Sequence, residues 1–509
     1  MQVEIYDQNR IKPETSFGKK ILNFIKAKPI LFGLVVGGIV LAVALAIILP
    51  IVLSNQKKEE ENKPIDNKID IFDGLPKYYD VKPIGNNKII DFTDIKTNAD
   101  TKYISINSKS QESEITYSSF CAYLGGLSYE GEREKVYLTY KWVIDNIAYD
   151  YDNYIHNTLS NVVYNPESVF ERKVTVCSGY SRLFTALLKC MGYENSKIKN
   201  IQGHSKGASY NPDRVINDAD TDHEWNAVQI GDKWCLIDST WGAGSISTSG
   251  FSKKNTEYYL CTPAEQFVRS HIPQEKNKDL QFLKDPIDLI TFQKLASTNN
   301  NFYEYGFLGL AFDEQVQNIC GRGRIVLKFD EIKSPKITYH LVGVDGENND
   351  QCITSKKLNN NYYYIDFFIN EEGEYDIKLY GKVDPSETYY WSFLNFIIKC
   401  DSPPNEKYSF PSFSEDYKDN IELISPMYRT LESGKKYNFK IMASEYNELF
   451  LNMVTSMDDF SYTKISMDKD GDYFIKNDVV IYKDYLFIEY KDSNTDTTHT
   501  LVTYTINSN

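Results

Sequence analysis

Residues 173–192 read KVTVCSGYSRLFTALLKCMG, a short extended approach followed by a helical pattern. The two valines before Cys177 alternate as in a strand, and the apolar residues after it recur at helical spacing up to Met191. Gly192 is a typical helix stop. We therefore predict that Cys177 lies at or just before the N-terminus of a helix.

A thiol at the N-terminus of a helix is a candidate nucleophile. Unpaired backbone N–H groups and the positive end of the helix dipole stabilise an anion there. The thiolate is the reactive form of cysteine. A buried structural cysteine is the alternative, and the helical pattern alone does not separate the two.

Residues 222–244 read DHEWNAVQIGDKWCLIDSTWGAG and predict two strands joined by a tight Gly-Asp turn. His223 begins the first strand and Asp238 follows the second, so antiparallel pairing brings them side by side. A cysteine, a histidine and a carboxylate that orients the imidazole form the nucleophile, base and orienting group of a catalytic triad. Cys177, His223 and Asp238 are therefore the candidate catalytic residues.

Together these motifs resemble the transglutaminase-like superfamily, and within it the kyphoscoliosis peptidase group. The likeness extends to YKWVIDNIAYD at 140–150 and to YYL, HIP and LQFL at 258–260, 271–273 and 280–283, and it covers roughly residues 115–290. It implies an α+β, papain-like core with a Cys-His-Asp triad, followed by immunoglobulin-like modules. Ser178 stands where many relatives carry Asp, which bears on substrate preference more than on the chemistry.

Three further residues are weaker candidates for lining a substrate site. Trp225 and Trp241 flank the triad motifs, although packing in the core explains large aromatic residues equally well. His204 lies in a loop before the strand of His223. His271 is interpreted as a packing or hydrogen-bonding residue. No cysteine pair has CxxC spacing and no histidines cluster near cysteines, so we expect neither a metal site nor a cofactor.

The N-terminal region predicts a membrane anchor. Residues 1–28 are polar and basic, and 29–53 form an almost uninterrupted apolar run, long enough for one transmembrane helix. A cleaved signal peptide is the alternative, but its apolar core is normally shorter. The positive-inside bias predicts that 1–28 are cytoplasmic and that the catalytic domain is exoplasmic or lumenal. The absence of Asn-x-Ser/Thr acceptors weighs against that orientation.

The remaining chain divides by composition into a stalk and three domains. Residues 54–110 are predicted as a solvated stalk or linker, 111–295 as the catalytic domain, and 296–402 and 403–509 as two β-sandwiches with regularly spaced β-prone runs. The sandwiches carry no catalytic pattern and are expected to bind protein partners or to act as spacers. The net charge of -15 argues against nucleic-acid binding.

The eight cysteines cannot all pair if Cys177 is a free nucleophile. One bridge among Cys320, Cys352 and Cys400 is possible in the first sandwich. Cys190 and Cys235 are predicted as structural core residues.

Two classes of function fit these observations. The first is a membrane-anchored cysteine enzyme that acts on protein or peptide amides through a thioester, with hydrolysis favoured over cross-linking. The second is a non-catalytic surface or scaffold protein that uses the same fold for protein binding, because a fold alone does not establish activity.

Overall fold

The protein is described by a computed structural model over residues 75–85, 90–207, 210–333, 335–343, 353–358, 361–405, 407–414, 416–417, 421–455, 462–492 and 495–507. The predicted tail at 1–28 and the predicted transmembrane segment at 29–53 lie outside these residues. Within the described ranges, no helix has the length and apolar character needed to cross a membrane.

Ten α-helices occur in the described residues, most of them before residue 270. They are α1 Lys96–Ser110, α2 Tyr117–Gly126, α3 Glu132–Asn146, α4 Tyr151–Ile155, α5 Pro166–Arg172, α6 Cys177–Cys190, α7 Ser239–Ala243, α8 Ala264–Phe267, α9 Leu289–Lys294 and α10 Asn300–Glu304.

The first ten strands occur in the segment that ends at residue 273. They are β1 Lys82–Pro83, β2 Ala148–Tyr149, β3 Val174–Thr175, β4 Ile198–Ser205, β5 His223–Ile230, β6 Lys233–Ile237, β7 Gly244–Ser247, β8 Gly250–Lys253, β9 Leu260–Thr262 and β10 His271–Pro273.

The C-terminal half is built from strands. They are β11 Phe307–Leu310, β12 Val316–Asn318, β13 Gly321–Phe329, β14 Lys336–Gly343, β15 Ile353–Leu358, β16 Tyr362–Ile369, β17 Gly373–Lys382, β18 Trp391–Cys400, β19 Ser412–Phe413, β20 Glu422–Ser425, β21 Thr430–Glu432, β22 Lys436–Met442, β23 Leu449–Val454, β24 Tyr462–Ser466, β25 Asp468–Asp470, β26 Tyr473–Val480, β27 Tyr485–Lys491 and β28 Thr498–Asn507.

Helix α6 is the centre of the α+β core. Its apolar stripe is fully buried, including Leu183, Phe184 and Leu187, and it packs against α3 and against β5. The five-stranded sheet behind it has the order β10-β4-β5-β6-β9. The predicted helix after Cys177 is confirmed, and Gly192 follows its end with a φ of +73°.

The first turn of α6 contains a glycine, Gly179, at a point of close contact with β3. A Cβ atom on Gly179 would lie 1.9 Å from Oγ1 of Thr175 in β3, so a larger residue would displace the strand that leads into the helix. This close approach fixes Cys177 at the junction of β3 and α6.

The predicted hairpin after His223 is also confirmed. Strands β5 and β6 pair antiparallel, Ile230 lies opposite Lys233, and Gly231 in the two-residue turn has a φ of +61°. Such turns need positive φ values, which explains the Gly-Asp sequence.

The prediction of a stalk at 54–110 is wrong for its C-terminal part. Helix α1 packs on α3 and buries Ala99, Tyr103 and Ile106 in the core of the α+β domain. Strand β1 pairs with β11 of the first sandwich. The polar composition of this segment concealed its buried face, because only about one residue in four of α1 points inwards.

The two predicted sandwiches are present in the described residues. In the first, the sheet β1-β11-β13-β16-β15 faces the sheet β12-β18-β17-β14 across a shared apolar core. In the second, the sheet β19-β28-β27-β23-β24, extended by β21, faces β20-β22-β26-β25. The chain passes from one sandwich to the other between β18 and β19.

Three disulfides join six of the described cysteines. Cys320 pairs with Cys400 in the first sandwich, as one of the predicted options. Cys235 lies in the core and Cys190 packs against it, as predicted, and each also forms a disulfide that was not predicted, Cys121 with Cys190 and Cys235 with Cys261. Sequence spacing did not indicate these pairs because their partners are brought together only by the folded core. Cys352 lies outside the described residues.

The packing of α1 predicts unequal effects of two neighbouring substitutions. Ile106 is fully buried and Ile104 is 66% exposed on the same helix. We expect Ile106→Ala to lower the free energy of unfolding of the catalytic domain by about 2–5 kcal/mol, because it leaves a cavity. The control Ile104→Ala should change it by less than about 0.5 kcal/mol. Calorimetry can resolve the transition of this domain, and equal effects would contradict the packing of α1.

Candidate active site

The candidate nucleophile lies at the start of α6. Cys177 is the first residue of that helix, and the residue before it is extended with φ -104° and ψ -178°. The thiol is partly exposed, and it is the one cysteine of the described residues without a disulfide partner. Its place as the first helical residue puts it beside the unpaired N–H groups of the helix start.

His223 and Asp238 meet as the hairpin predicts. Nε2 of His223 lies 2.8 Å from Oδ2 of Asp238, and both side chains are buried. The sulfur of Cys177 lies close enough to the imidazole to help raise the pKa of His223. The three residues singled out from the sequence thus lie together, in the order Cys177, His223, Asp238.

The carboxylate of Asp238 has a second task, because it caps α7. Its Oδ1 accepts hydrogen bonds from the backbone N–H groups of Thr240, at 2.8 Å, and Trp241, at 3.1 Å. One oxygen is therefore held by the helix and the other faces the imidazole of His223. This arrangement fixes the plane of the carboxylate.

A second imidazole reaches the same oxygen, and its role was missed at the level of sequence. Nε2 of His271 lies 3.0 Å from Oδ2 of Asp238, and its Nδ1 lies 2.8 Å from the hydroxyl of Ser270. The ring stacks on Phe267 with centroids 4.1 Å apart and is fully buried. The HIP motif at 271–273 indicated that His271 packs or forms hydrogen bonds, but it did not indicate that Asp238 is the partner.

The pKa of His271 identifies its protonation state. Burial lowers that pKa to about 4, against the opposing attraction of Asp238. The ring is therefore neutral near pH 7, and it donates from Nε2 to Asp238 while Nδ1 accepts from Ser270. His271 is a positioning residue for the carboxylate.

Burial and charge act in opposition on the other two groups. Burial disfavours the charged imidazolium of His223, but the Asp238 carboxylate and the Cys177 sulfur together hold its pKa well above the ordinary value. Burial likewise disfavours an ionised Asp238, yet His223 and His271 hold the pKa of that carboxyl below its usual range. The result is a charged imidazole that lies against the ionised Asp238.

The same cluster was tested as a metal centre. His223, Asp238 and His271 place ligand atoms within 4.8 Å of one another. Both Nε2 atoms, however, lie at hydrogen-bonding distance from a single carboxylate oxygen, and each is used as a donor to it. A metal ion would need the lone pairs of both nitrogens. Hydrogen bonds account for the arrangement, and the expectation of no metal stays a prediction.

The three weaker candidates lie in different surroundings. Trp225 is buried, with its ring centroid 6.0 Å from that of His223 and 5.8 Å from that of Phe267. Trp241 is partly exposed with its centroid 5.7 Å from that of His223, so it borders the site.

His204 is not brought together with the triad. It is buried, and its Nε2 lies 3.8 Å from Oδ1 of Asp218. The preceding Gly203 faces Trp225, and neighbouring residues of a strand point to opposite faces. His204 therefore points away from the side on which Trp225 lies.

Comparison with protein families matches two parts of the chain. Residues 123–239 match the transglutaminase-like superfamily, and residues 289–411 match the KY-like immunoglobulin-like domain. The first range contains Cys177, His223 and Asp238, and the second contains the first sandwich except for β1. The chain thus carries a transglutaminase-like domain followed by an immunoglobulin-like domain.

Comparison with curated proteins finds homologues of part of this chain. Kyphoscoliosis peptidase of Mus musculus is 26% identical over 270 residues, which cover 52% of this chain and 38% of the relative. The Homo sapiens protein of that name is 25% identical over the same shares. Hillarin of Drosophila melanogaster is 28% identical over 118 residues, or 21% of this chain and 14% of hillarin. The chain spans less than half the length of these relatives.

The pKa of His271 predicts a pH dependence of stability. A histidine whose pKa falls from about 6.5 in the unfolded chain to about 4 in the folded protein contributes stability that is complete above pH 6.5. That stability is lost as the pH falls towards 4, and at pH 5 the loss is about 2 kcal/mol. His271→Asn retains a donor but does not titrate. Its free energy of unfolding should therefore decrease by about 2 kcal/mol less than that of the wild type between pH 7.5 and pH 5.

Urea unfolding at the two pH values measures this difference. The exposed His156 provides the control, and His156→Asn should retain the wild-type pH dependence. Identical pH dependence in the wild type and His271→Asn would contradict a neutral His271 in the folded protein.

Proposed function

We propose that this chain, which carries a transglutaminase-like domain and a KY-like immunoglobulin-like domain, is a cysteine acyl-transfer enzyme acting on protein or peptide amides. One observation carries the proposal. His223, held charged by the buried Asp238, lies beside the partly exposed Cys177 at a helix N-terminus. A purely structural cysteine requires none of these features.

The first half of the reaction forms a thioester. The sulfur of Cys177, whose proton is held by His223, attacks the carbonyl carbon of the amide. Backbone N–H groups at the start of α6 stabilise the oxyanion. The bond between carbon and nitrogen then breaks, and His223 gives its proton to the leaving amine. Asp238 keeps the imidazole in the required tautomer and orientation throughout.

The second half decides between two outcomes. Water attacks the thioester, His223 accepts its proton, and a carboxylic acid leaves while the thiol is restored. If a lysine amine attacks instead, the product is a cross-link. We favour hydrolysis, because two of the homologues carry the word peptidase in their names.

The anchor and the sandwiches complete the proposed organisation. We infer that residues 29–53 span a membrane, with residues 1–28 in the cytoplasm and the catalytic domain on the exoplasmic or lumenal side. The three disulfides support this side, because disulfides persist in oxidising compartments. An external protease should cleave an exoplasmic catalytic domain in intact cells, and a lumenal one only after every membrane is permeabilised. Resistance in intact cells followed by cleavage once the plasma membrane alone is permeabilised would contradict this orientation. The sandwiches would bind protein partners or position the catalytic domain.

Alkylation of Cys177 tests the enzymatic proposal. At pH 6, iodoacetamide should modify Cys177 first, because it is partly exposed, has no disulfide partner and lies beside the charged His223. His223→Ala should slow that modification by at least about tenfold, on the scale of one lost charge-assisted hydrogen bond. The buried His204 supplies the control, and His204→Asn should leave the rate unchanged. Peptide mapping by mass spectrometry identifies the modified residue.

Turnover of a peptide mixture separates the enzyme from the scaffold. Cys177→Ala should abolish amide hydrolysis and acyl transfer. If Cys177 is alkylated no faster than an ordinary thiol and no peptide is turned over, the protein is the non-catalytic binding protein instead. Full activity in Cys177→Ala would exclude this mechanism.

A further inference from the structure

A cleft of about 450 Å³ runs along α6. Arg182 and Lys189, seven positions apart on one face of the helix, line one wall. Gln202 and Glu224, from neighbouring strands β4 and β5, line the other, and Lys276 lies at the rim after β10. None of these residues has a role in the reaction described above.

The cleft begins close to the nucleophile. Arg182 lies about one and a half helical turns after Cys177, so this end of the cleft is about 8 Å along the helix axis from the nucleophile. The ring of Tyr164 connects the two places. Its centroid lies 5.7 Å from the guanidinium of Arg182, and burial and the nearby Cys177 sulfur both raise the pKa of its hydroxyl. A chain bound at Cys177 can therefore continue into the cleft.

The lining of the cleft is cationic although the protein is acidic. Its ionisable residues are three cations, Arg182, Lys189 and Lys276, and one carboxylate, Glu224, which gives a net charge of about +2. Arg182 lies 3.9 Å from Glu224. Lys189 and Lys276 are exposed, and within the described part of the chain neither forms an ion pair. In a chain with a net charge of -15, this cleft attracts anions.

The base of the cleft also has unused hydrogen-bonding capacity. The carboxylate of Glu224 is 4% exposed, and its two amide contacts, to Asn200 and Gln202, are both long at 3.4 Å. An ionised carboxylate accepts about four hydrogen bonds. Glu224 can thus accept a backbone N–H of a bound peptide while it holds Arg182 at the wall.

We propose that this cleft binds acidic side chains of the peptide substrate, so that the enzyme selects amides that lie near aspartate or glutamate residues. The inference rests on the proposed function, because it assigns the substrate class of the same site. Lys189 and Lys276 bind the carboxylates, and Glu224 accepts from the main chain.

The length of the cleft sets the position of the acidic residues. The helical rise is about 1.5 Å per residue, so Arg182 lies about 8 Å and Lys189 about 18 Å along the axis from Cys177. An extended peptide advances about 3.3 Å per residue. The selected carboxylates should therefore lie about two to six residues from the amide that reacts.

Binding to a Cys177→Ala protein tests the inference without any turnover. The experiment uses three fluorescent peptides of twelve residues that differ only at six consecutive positions. The acidic peptide carries Asp and Glu at these positions, the amide peptide carries Asn and Gln, and the basic peptide carries Lys. In fluorescence anisotropy the acidic peptide should bind about tenfold more tightly than the amide peptide, as expected for two surface ion pairs. Adding Lys189→Glu and Lys276→Glu together should abolish that preference.

Lys278 provides a matched control, because it is an exposed lysine in the same segment and outside the cleft lining. Lys278→Glu should retain the preference. The inference is overturned if the acidic and amide peptides bind equally well, or if Lys278→Glu removes the preference as fully as the double change.

Turnover of the same peptides by the wild-type protein distinguishes failure of the cleft assignment from failure of the proposed enzymatic function. Turnover without a preference for the acidic peptide overturns the cleft assignment and leaves the enzyme standing. Preferential binding that depends on Lys189 and Lys276, with no acylation of Cys177, supports an acidic-peptide site on a protein without the proposed activity.

Discussion

Asp238 is a buried carboxylate whose two oxygens receive four hydrogen bonds from three parts of the chain. Oδ1 is held by the first turn of α7, and Oδ2 is shared by His223 and His271. A buried charge that loses its partners typically costs 3–5 kcal/mol. The interior of this domain is therefore built so that the charge is never unpaired, and the same arrangement keeps His223 charged opposite Cys177.

The fold supplies each of these partners from a different element. The β5–β6 hairpin sets His223 against Asp238, β10 pairs with β4 and brings His271 to the same oxygen, and α6 delivers Cys177. Because β10 lies at the edge of the sheet and α7 begins directly after β6, a shift of either element would remove a donor from the carboxylate. The site is thus positioned by the sheet register rather than by a mobile loop, as precise chemistry requires. The cleft along α6 is lined by residues of the same helix and of strands β4 and β5.

Much of this arrangement was predictable from the sequence. Helical spacing after Cys177 and the Gly-Asp turn after Ile230 are local signals, and both follow directly from backbone geometry. The alternation of β-prone runs with polar turns is also a local signal, and it predicted both sandwiches. His271 and the disulfide between Cys121 and Cys190 are long-range contacts, and no local pattern encodes which partner each residue meets. The buried face of α1 was missed because its few apolar residues are spread over a mostly polar helix.

The central claim is that Asp238 is ionised and shared by one charged and one neutral imidazole. Nitrogen-15 NMR of the protein labelled at its six histidines measures this directly. His223→Gln and His271→Gln assign the two resonances. At pH 7.5 we expect His223 to carry protons on both nitrogens and His271 to carry one, on Nε2. A neutral His223 at that pH, or a His271 with two protons, would contradict the account.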